Sequence, residues 1–223
     1  LSDVGVLLFD EFHERNLLSD VALALAKQLQ ATTRPDLKIG VMSATLDAEP
    51  IAAYLGGCPI IVSEGQSWPV ELRYLDCPDE RPITEQAADA VEHILHTSPD
   101  GDILVFMPGM GEIVSTMNAI RSHRLAERVA LIPLHGELSP EEQDLAFAPN
   151  PLRKVIVATN VAETSVTIDG IRHVVDSGLA RVARYDAERG FGTLNLEPIS
   201  RASADQRKGR AGRTAPGTCW RLW

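Results

Sequence analysis

Cysteine is scarce in this chain: Cys58, Cys77 and Cys219 are widely spaced and odd in number. That pattern excludes a disulfide framework and the paired spacing of a zinc site, and it suits reduced thiols in a cytosolic protein. Long apolar runs are missing as well. None approaches the roughly 20 residues that cross a bilayer, and no signal-peptide pattern opens the chain. Nor is there an excess of positive charge. Against 31 acidic residues stand 21 Lys and Arg, for a net charge of −10 and a pI near 5, so the surface as a whole does not attract polyanions. Nucleic-acid contact, if any, must be local. The basic residues do cluster, with four in the seven positions 207–213.

What is present is the composition of an ordinary globular protein, 44% hydrophobic and 23% charged. Its 223 residues leave room for one large or two modest domains. Leu1 rather than Met stands first, almost on top of a strand, so the expectation is a segment whose N-terminus lies upstream.

Short apolar, β-branched runs alternate with helix-length amphipathic segments, the signature of a parallel sheet flanked by helices. VGVLLF (4–9), apolar at every position, reads as a fully buried strand, followed by a helix through SDVALALAKQLQ. KIGVMSAT, PIIVS and VELRYL read as further strands, and AEPIAAYL as a short helix stopped at Gly56–Gly57. CPDERP (77–82), with two prolines and three charges, is the linker candidate, dividing the chain into blocks 1–76 and 77–223. The second block restarts the alternation. In it SPEEQDLAF carries a complete helix-start signal, with Ser139 as cap, Pro140 in the first turn and Glu142 at the capping-box position. Residues 181–198 read as a β-hairpin, ASADQRKGRAG as a helix and TCWRLW as a last strand.

Four constellations carry chemistry. Asp10 and Glu11 end the first strand, where open parallel sheets place their ligands. That position suits a Mg²⁺-holding carboxylate at Asp10 and a water-polarising base at Glu11, or else a solvated acidic turn. A zinc-peptidase reading of His13–Glu14 fails, because Leu17 stands where H-E-x-x-H needs its second histidine. Ser43–Ala44–Thr45 ends another strand, suited to bonding the acids or simply to capping the next helix. The segment 158–170, ATNVAETSVTIDG, follows a buried strand with hydrogen-bonding residues at nearly every step; it suits a phosphate backbone or an ordinary capped turn. In QRKGRAGR (206–213), Gln206, Arg210 and Arg213 fall at i, i+4 and i+7, one helical face. Two glycines on another face suit close packing against something anionic, where a solvated basic stripe would prefer Lys and Glu.

Taken in order, DEFH (10–13), SAT (43–45), LVFMPG (104–109), ATNVAETSVTIDG (158–170) and QRKGRAGR (206–213) resemble the motifs of the DEAH-box branch of superfamily 2 helicases. DEFHER, SEGQSWPVELRY (63–74) and VVDSGLARVARYD (174–186) look most like its bacterial HrpB-type members. The resemblance covers essentially the whole chain. It implies an α/β fold of two RecA-like parallel-sheet lobes, the first truncated at its N-terminus (1–76) and the second nearly complete (77–223). It also implies use of ATP or another NTP with Mg²⁺, and 3′–5′ movement along single-stranded RNA or DNA, alone or in a ribonucleoprotein.

Residue by residue, the resemblance makes Asp10 the Mg²⁺ holder and Glu11 the catalytic base. His13, Ser43 and Thr45 would couple hydrolysis to movement, with Gln206 near the attacking water and Arg210 and Arg213 on the phosphates. Gly109, Thr159, Asn160 and Ser165 would face the nucleic-acid backbone, Asp169 the ribose and Phe147 the adenine. The 181–198 hairpin resembles one that such helicases use beside the nucleic-acid exit. Two departures stand out. Phe12 replaces the alanine of the namesake motif, as in HrpB-type proteins. No G-x-x-x-x-G-K-[ST] loop occurs anywhere in the chain; in the family that loop lies upstream of the acidic motif. The chain by itself is therefore expected to be inactive as an ATPase, and a non-catalytic nucleotide- or RNA-binding module remains the alternative. Block 1–76 is further expected to be the less stable of the two.

Overall fold

The computed structural model describes residues 2–14, 17–43, 48–63, 68–75, 77, 79–123, 126–163, 167–186 and 190–223. They form two compact units, Leu1–Glu64 and Gly65–Trp223.

In the first unit, β1 (Val6–Phe9) is followed by α1 (Leu17–Thr32), β2 (Lys38–Val41) and α2 (Ala48–Tyr54). β1 and β2 pair in parallel, Val6 opposite Lys38 through Phe9 opposite Val41. Asp20 sits in the first turn of α1, where its charge complements the helix dipole. Leu23 and Ala26, one turn apart on α1, are buried with Leu37, Ala52 and Phe12. Gly56 and Gly57, both at positive φ (89° and 79°), stop α2 as expected.

Two strand expectations need correction here. The first strand is not fully buried: Val6 and Leu8 are exposed and Leu7 and Phe9 half-buried, because β1 pairs with β2 alone among the described residues. Ile60, Ile61 and Val62 form no strand and are exposed; a β-branched run without a partner leaves its backbone groups unpaired, so propensity alone does not hold it extended in a sheet.

The second unit is larger. Its elements in chain order are β3 (Val70–Tyr74), α3 (Ile83–Thr97), β4 (Asp102–Phe106), α4 (Met110–Ser122), β5 (Val129–Leu134), α5 (Pro140–Phe147), β6 (Arg153–Ala158), β7 (Ile171–Asp176), β8 (Leu179–Asp186), β9 (Phe191–Pro198), α6 (Arg201–Gly209) and β10 (Gly217–Arg221). Six strands make one parallel sheet in the order β3-β10-β7-β4-β6-β5. β8 and β9 form the expected antiparallel hairpin.

The strand period of two divides the core between the faces of this sheet. Ile103, Val105, Val155, Val157 and Val175 pack with Ala87, Val91 and Ile94 of α3 and Ile113, Met117 and Ile120 of α4. Leu104, Phe106, Ile156, Ala158 and Val174 pack on the other face with Ala146 of α5, Ala162 and Ala211. Continuous apolar strands are the consequence of covering both faces. α5 starts as its sequence dictates: Ser139 N–H donates to Glu142 Oε2 (2.9 Å) and Glu142 N–H to Ser139 Oγ (3.3 Å).

The boundary between the units falls before VELRYL rather than after it. β3 pairs with β10, Val70 opposite Gly217 through Tyr74 opposite Arg221, and Trp68 N–H donates to the Gly212 carbonyl at 2.9 Å. Gly212 makes this possible, since a Cβ there would meet the Trp68 carbonyl at 2.6 Å. The glycine expected to let an anion approach instead admits backbone, and the space beside Gly209 is open. The cysteines are all free thiols, and burial, with the Asp176 carboxylate adding to it, pushes that of Cys219 up to about 12.

Candidate functional site

In both units part of the predicted set stands at the carboxyl ends of parallel strands: Asp10 and Glu11 after β1, Gly109 after β4, and Thr159 and Asn160 after β6. In the first unit, Asp10 follows β1 directly. Its Oδ1 accepts the Glu11 N–H at 2.8 Å, and Glu11 takes a left-handed backbone, φ 50°, the one non-glycine positive φ among the described residues. Such a conformation costs roughly 1–3 kcal/mol and persists where surrounding contacts hold it. Here Phe12 N–H donates to the Met42 carbonyl (3.1 Å) and Met42 N–H to the Phe9 carbonyl (2.8 Å), stitching the acidic turn to the end of β2. Phe12, 2% exposed, meets Phe9 edge to face at 6.5 Å. The turn is thus anchored by its aromatic residue and presents its acids outward.

Glu11 Oε2 lies 3.3 Å from Nε2 of His13, whose side chain is 6% exposed. Ser43, exposed, directly follows Met42, so the acidic turn and Ser43 share one edge. Thr45 and Ser165 lie outside the described residues.

In the second unit, the central strands β6, β4 and β7 end side by side, with Phe106 opposite both Ala158 and Asp176. Gly109 follows β4 and starts α4. A Cβ at Gly109 would lie 2.6 Å from Arg181 Nε and 2.9 Å from Glu112 Oε2. Its absence lets Arg181, at the root of the hairpin, pair with Glu112 at 3.0 Å. Thr159 follows β6, half-buried, its N–H donating to the Leu134 carbonyl at 3.1 Å. A 3₁₀ turn over Asn160–Ala162 exposes Asn160. Asp169 is exposed in the turn that Gly170 closes at φ 87°. Phe147, the last residue of α5, is half-buried against the apolar cluster on the Phe106 face.

The arginine segment packs on the Phe106 face of this sheet, with one change from expectation. α6 ends at Gly209, and Arg210–Gly212 tighten into a 3₁₀ turn. Gln206 is half-buried on α6. Arg210, 5% exposed, donates through Nε to the Glu163 carbonyl at 2.9 Å and also through Nη2. Exposed Arg213 donates through Nη1 to Thr167 Oγ1 at 2.6 Å. Both arginines are held by the 158–170 segment.

Sequence reasoning missed the most buried polar group of the segment. Arg207 is 0% exposed. Its Nε meets Glu163 Oε2 at 2.9 Å, its Nη1 meets Asp176 Oδ1 at 2.8 Å, and its guanidinium lies 4.8 Å from the centre of the Phe106 ring. Removing one partner from a buried pair of this kind costs about 3–5 kcal/mol. A signal was available: Ala204, Arg207 and Ala211 fall at i, i+3 and i+7, so Arg207 shares the small-residue face that packs on the sheet.

Among the described residues no group of three or more His, Cys, Asp or Glu could hold a metal ion. Mg²⁺ bound with a nucleotide requires less, one or two carboxylates plus phosphate oxygens and water. Asp10, an exposed hard-oxygen donor at a strand end, fits that demand.

Residues 86–215 match the family model of the helicase conserved C-terminal domain. The chain is 46% identical over 219 residues to the ATP-dependent RNA helicase HrpB of Escherichia coli, covering 97% of this chain and 27% of that protein. It is 43% identical over 230 residues to the pre-mRNA-splicing factor ATP-dependent RNA helicase prp22 of Schizosaccharomyces pombe, covering all of this chain and 20% of that protein. A crystal structure of the Escherichia coli DEAH/RHA helicase HrpB matches with a TM-score of 0.90 and 46% identity, over 100% of this chain and 28% of that one. The chain spans about a quarter of the length of such relatives. With a parallel α/β sheet of the RecA-like type, this chain belongs to the DEAH-type helicase family and carries the helicase conserved C-terminal domain.

Proposed function

We propose that this chain forms part of a cytoplasmic ATP-dependent RNA helicase that couples hydrolysis to 3′–5′ movement on single-stranded RNA. The observation that carries this reading is the fastening of Arg210 to Glu163 and of Arg213 to Thr167, both on the segment whose first residues, Thr159 and Asn160, share the carboxyl edge of the sheet with Gly109. Groups suited to phosphates and groups suited to a nucleic-acid backbone are thereby built into one piece. In this reading Leu1–Glu64 belongs to the ATP-binding lobe and Gly65–Trp223 to the second lobe.

Asp10 would hold Mg²⁺, which neutralises charge on the β- and γ-phosphates. Glu11 takes the proton of the attacking water, and His13 holds Glu11 in place through the 3.3 Å contact. Ser43 and Thr45 pass the change to the nucleic-acid side. Gln206 orients the water, while Arg210 and Arg213 stabilise charge on the transferring phosphoryl group. Asp169 meets the ribose and Phe147 the adenine. Thr159, Asn160 and Ser165 hold the RNA backbone.

The test is phosphate release by the full-length protein with and without single-stranded RNA, together with unwinding of duplexes tailed at either end. Stimulation by RNA and a requirement for a 3′ tail are the expected results. The 223-residue chain, folded by circular dichroism, is expected to release no phosphate. Nucleotide or RNA binding by the full-length protein without turnover would leave a binding module instead.

A further inference from the structure

We propose that Glu163 is the positioning residue that couples the arginine segment to the nucleic-acid-facing turn, a role that rests on the function proposed above. Two arginines three residues apart hold it by different groups. Arg207 Nε binds its carboxylate at 2.9 Å, and Arg210 Nε binds its backbone carbonyl at 2.9 Å. The Glu163 N–H donates to the Asn160 carbonyl at 2.9 Å, closing the 3₁₀ turn that exposes Asn160. A bonded line therefore runs from Arg210 through Glu163 to Asn160.

The two grips differ in permanence. Arg207 is fully enclosed and is also fixed to Asp176 Oδ1 (2.8 Å) and the Leu179 carbonyl (3.3 Å), so one guanidinium fastens the turn, the end of β7 and the start of the hairpin. Arg210 donates to a neutral carbonyl, and an anionic phosphate competes for it because it adds full charge–charge attraction and matches the guanidinium fork with two acceptor oxygens. When Arg210 turns to phosphate, the Glu163 carbonyl loses that bond while Arg207 keeps the carboxylate. The 160–163 turn then adjusts about a fixed side chain, and Asn160 and Thr159 register the nucleotide state. The network also holds two buried polar atoms, Asp176 Oδ2 and Arg207 Nη2, with no hydrogen-bond partner among the described residues.

The experiment compares RNA-stimulated with basal ATP turnover in the full-length protein for Glu163→Ala, Glu163→Gln and Arg207→Lys, with thermal unfolding measured alongside. Glu163→Ala is expected to lower the ratio of stimulated to basal kcat about tenfold, within the usual range of coupling between sites. Glu163→Gln, which keeps an acceptor for Arg207, should recover part of that loss. Arg207→Lys should behave like Glu163→Ala, since an ammonium cannot span Glu163 and Asp176 as a fork does. If Glu163→Ala does not fold, Glu163→Gln carries the test with a smaller fall in the same ratio. An unchanged ratio in the folded variants overturns the coupling role, as does an equal fall in basal and stimulated turnover, which marks a merely structural residue. Absence of RNA-stimulated turnover in the unaltered protein overturns the proposed function and this role together.

Discussion

Glu11 Oε2 stands 3.3 Å from His13 Nε2, with the imidazole side chain enclosed and the carboxylate 37% exposed. The acid is held from behind and open in front, at the end of a strand whose backbone is strained at that same residue. Glu11→Gln keeps the shape and removes the base. In the full-length protein it should lower kcat for ATP by about 10²–10⁴-fold, with single-stranded RNA binding retained by fluorescence anisotropy. Unchanged turnover would remove Glu11 from the mechanism.

Phe12 occupies the position where the family's namesake motif has alanine, yet here it is a core residue packed edge to face on Phe9. Restoring the alanine should therefore damage this protein. Phe12→Ala is expected to destabilise the first unit by about 3–5 kcal/mol through the cavity it leaves. Amide exchange should accelerate in β1, α1 and β2 and stay as it was in the second unit. Equal protection with and without the ring would show that the turn is anchored elsewhere.

Gly109→Ala tests a different kind of contact. Its φ of −165° suits any residue, and the atoms a new Cβ would meet are the ends of the Arg181 and Glu112 side chains, which can swing aside. Loss of this partly exposed pair should cost at most about 1 kcal/mol of global stability. Amides of β8 should nevertheless exchange faster, because the hairpin root is no longer tied to α4. RNA affinity should fall as well if Gly109 touches the backbone.

His173 links β7 to β10. Asp100 offers a carbonyl at 2.9 Å from Nε2, so Nε2 carries the proton and Nδ1 accepts from the Thr218 hydroxyl at 2.9 Å. Burial is the main influence and holds the imidazole below its ordinary 6.5, against a smaller upward pull from the Asp100 hydrogen bond. The unfolded chain then binds the proton more readily than the folded one. Stability from this group is complete above about pH 6.5 and is lost as the pH falls toward the depressed folded value, with a slope of at most about 1.4 kcal/mol per pH unit. Denaturant titrations between pH 7.5 and 5.5 should show that slope shrink in His173→Asn, and an unchanged slope would assign it to other groups.

Much of the second unit was legible because its signals are local. Ser139, Pro140 and Glu142 start α5 through contacts within four residues, and the apolar runs at 102–108 and 154–159 become strands buried on both faces. The first unit was less legible. Its apolar runs promised buried strands, but burial depends on what lies opposite, so VGVLLF is half-exposed and PIIVS forms no strand. VELRYL illustrates the same limit: the sequence marks a strand, while the choice of sheet is made by β10 and by the bare Cα of Gly212.

By itself the sequence determined the motif order, the alternation of strands and helices, and the placing of Asp10, Glu11 and Thr159 at strand ends, since these depend on neighbours along the chain. Tertiary structure alone decided which arginine is paired with two carboxylates. Arg207, Arg210 and Arg213 are chemically identical, and only the positions of Glu163, Asp176 and Phe106, 31 to 101 residues away, enclose the first between two carboxylates, while Arg210, also buried, meets a backbone carbonyl and Arg213 stays exposed. Desolvating a guanidinium is tolerable where two carboxylates converge on it, and that convergence is a property of the folded sheet edge.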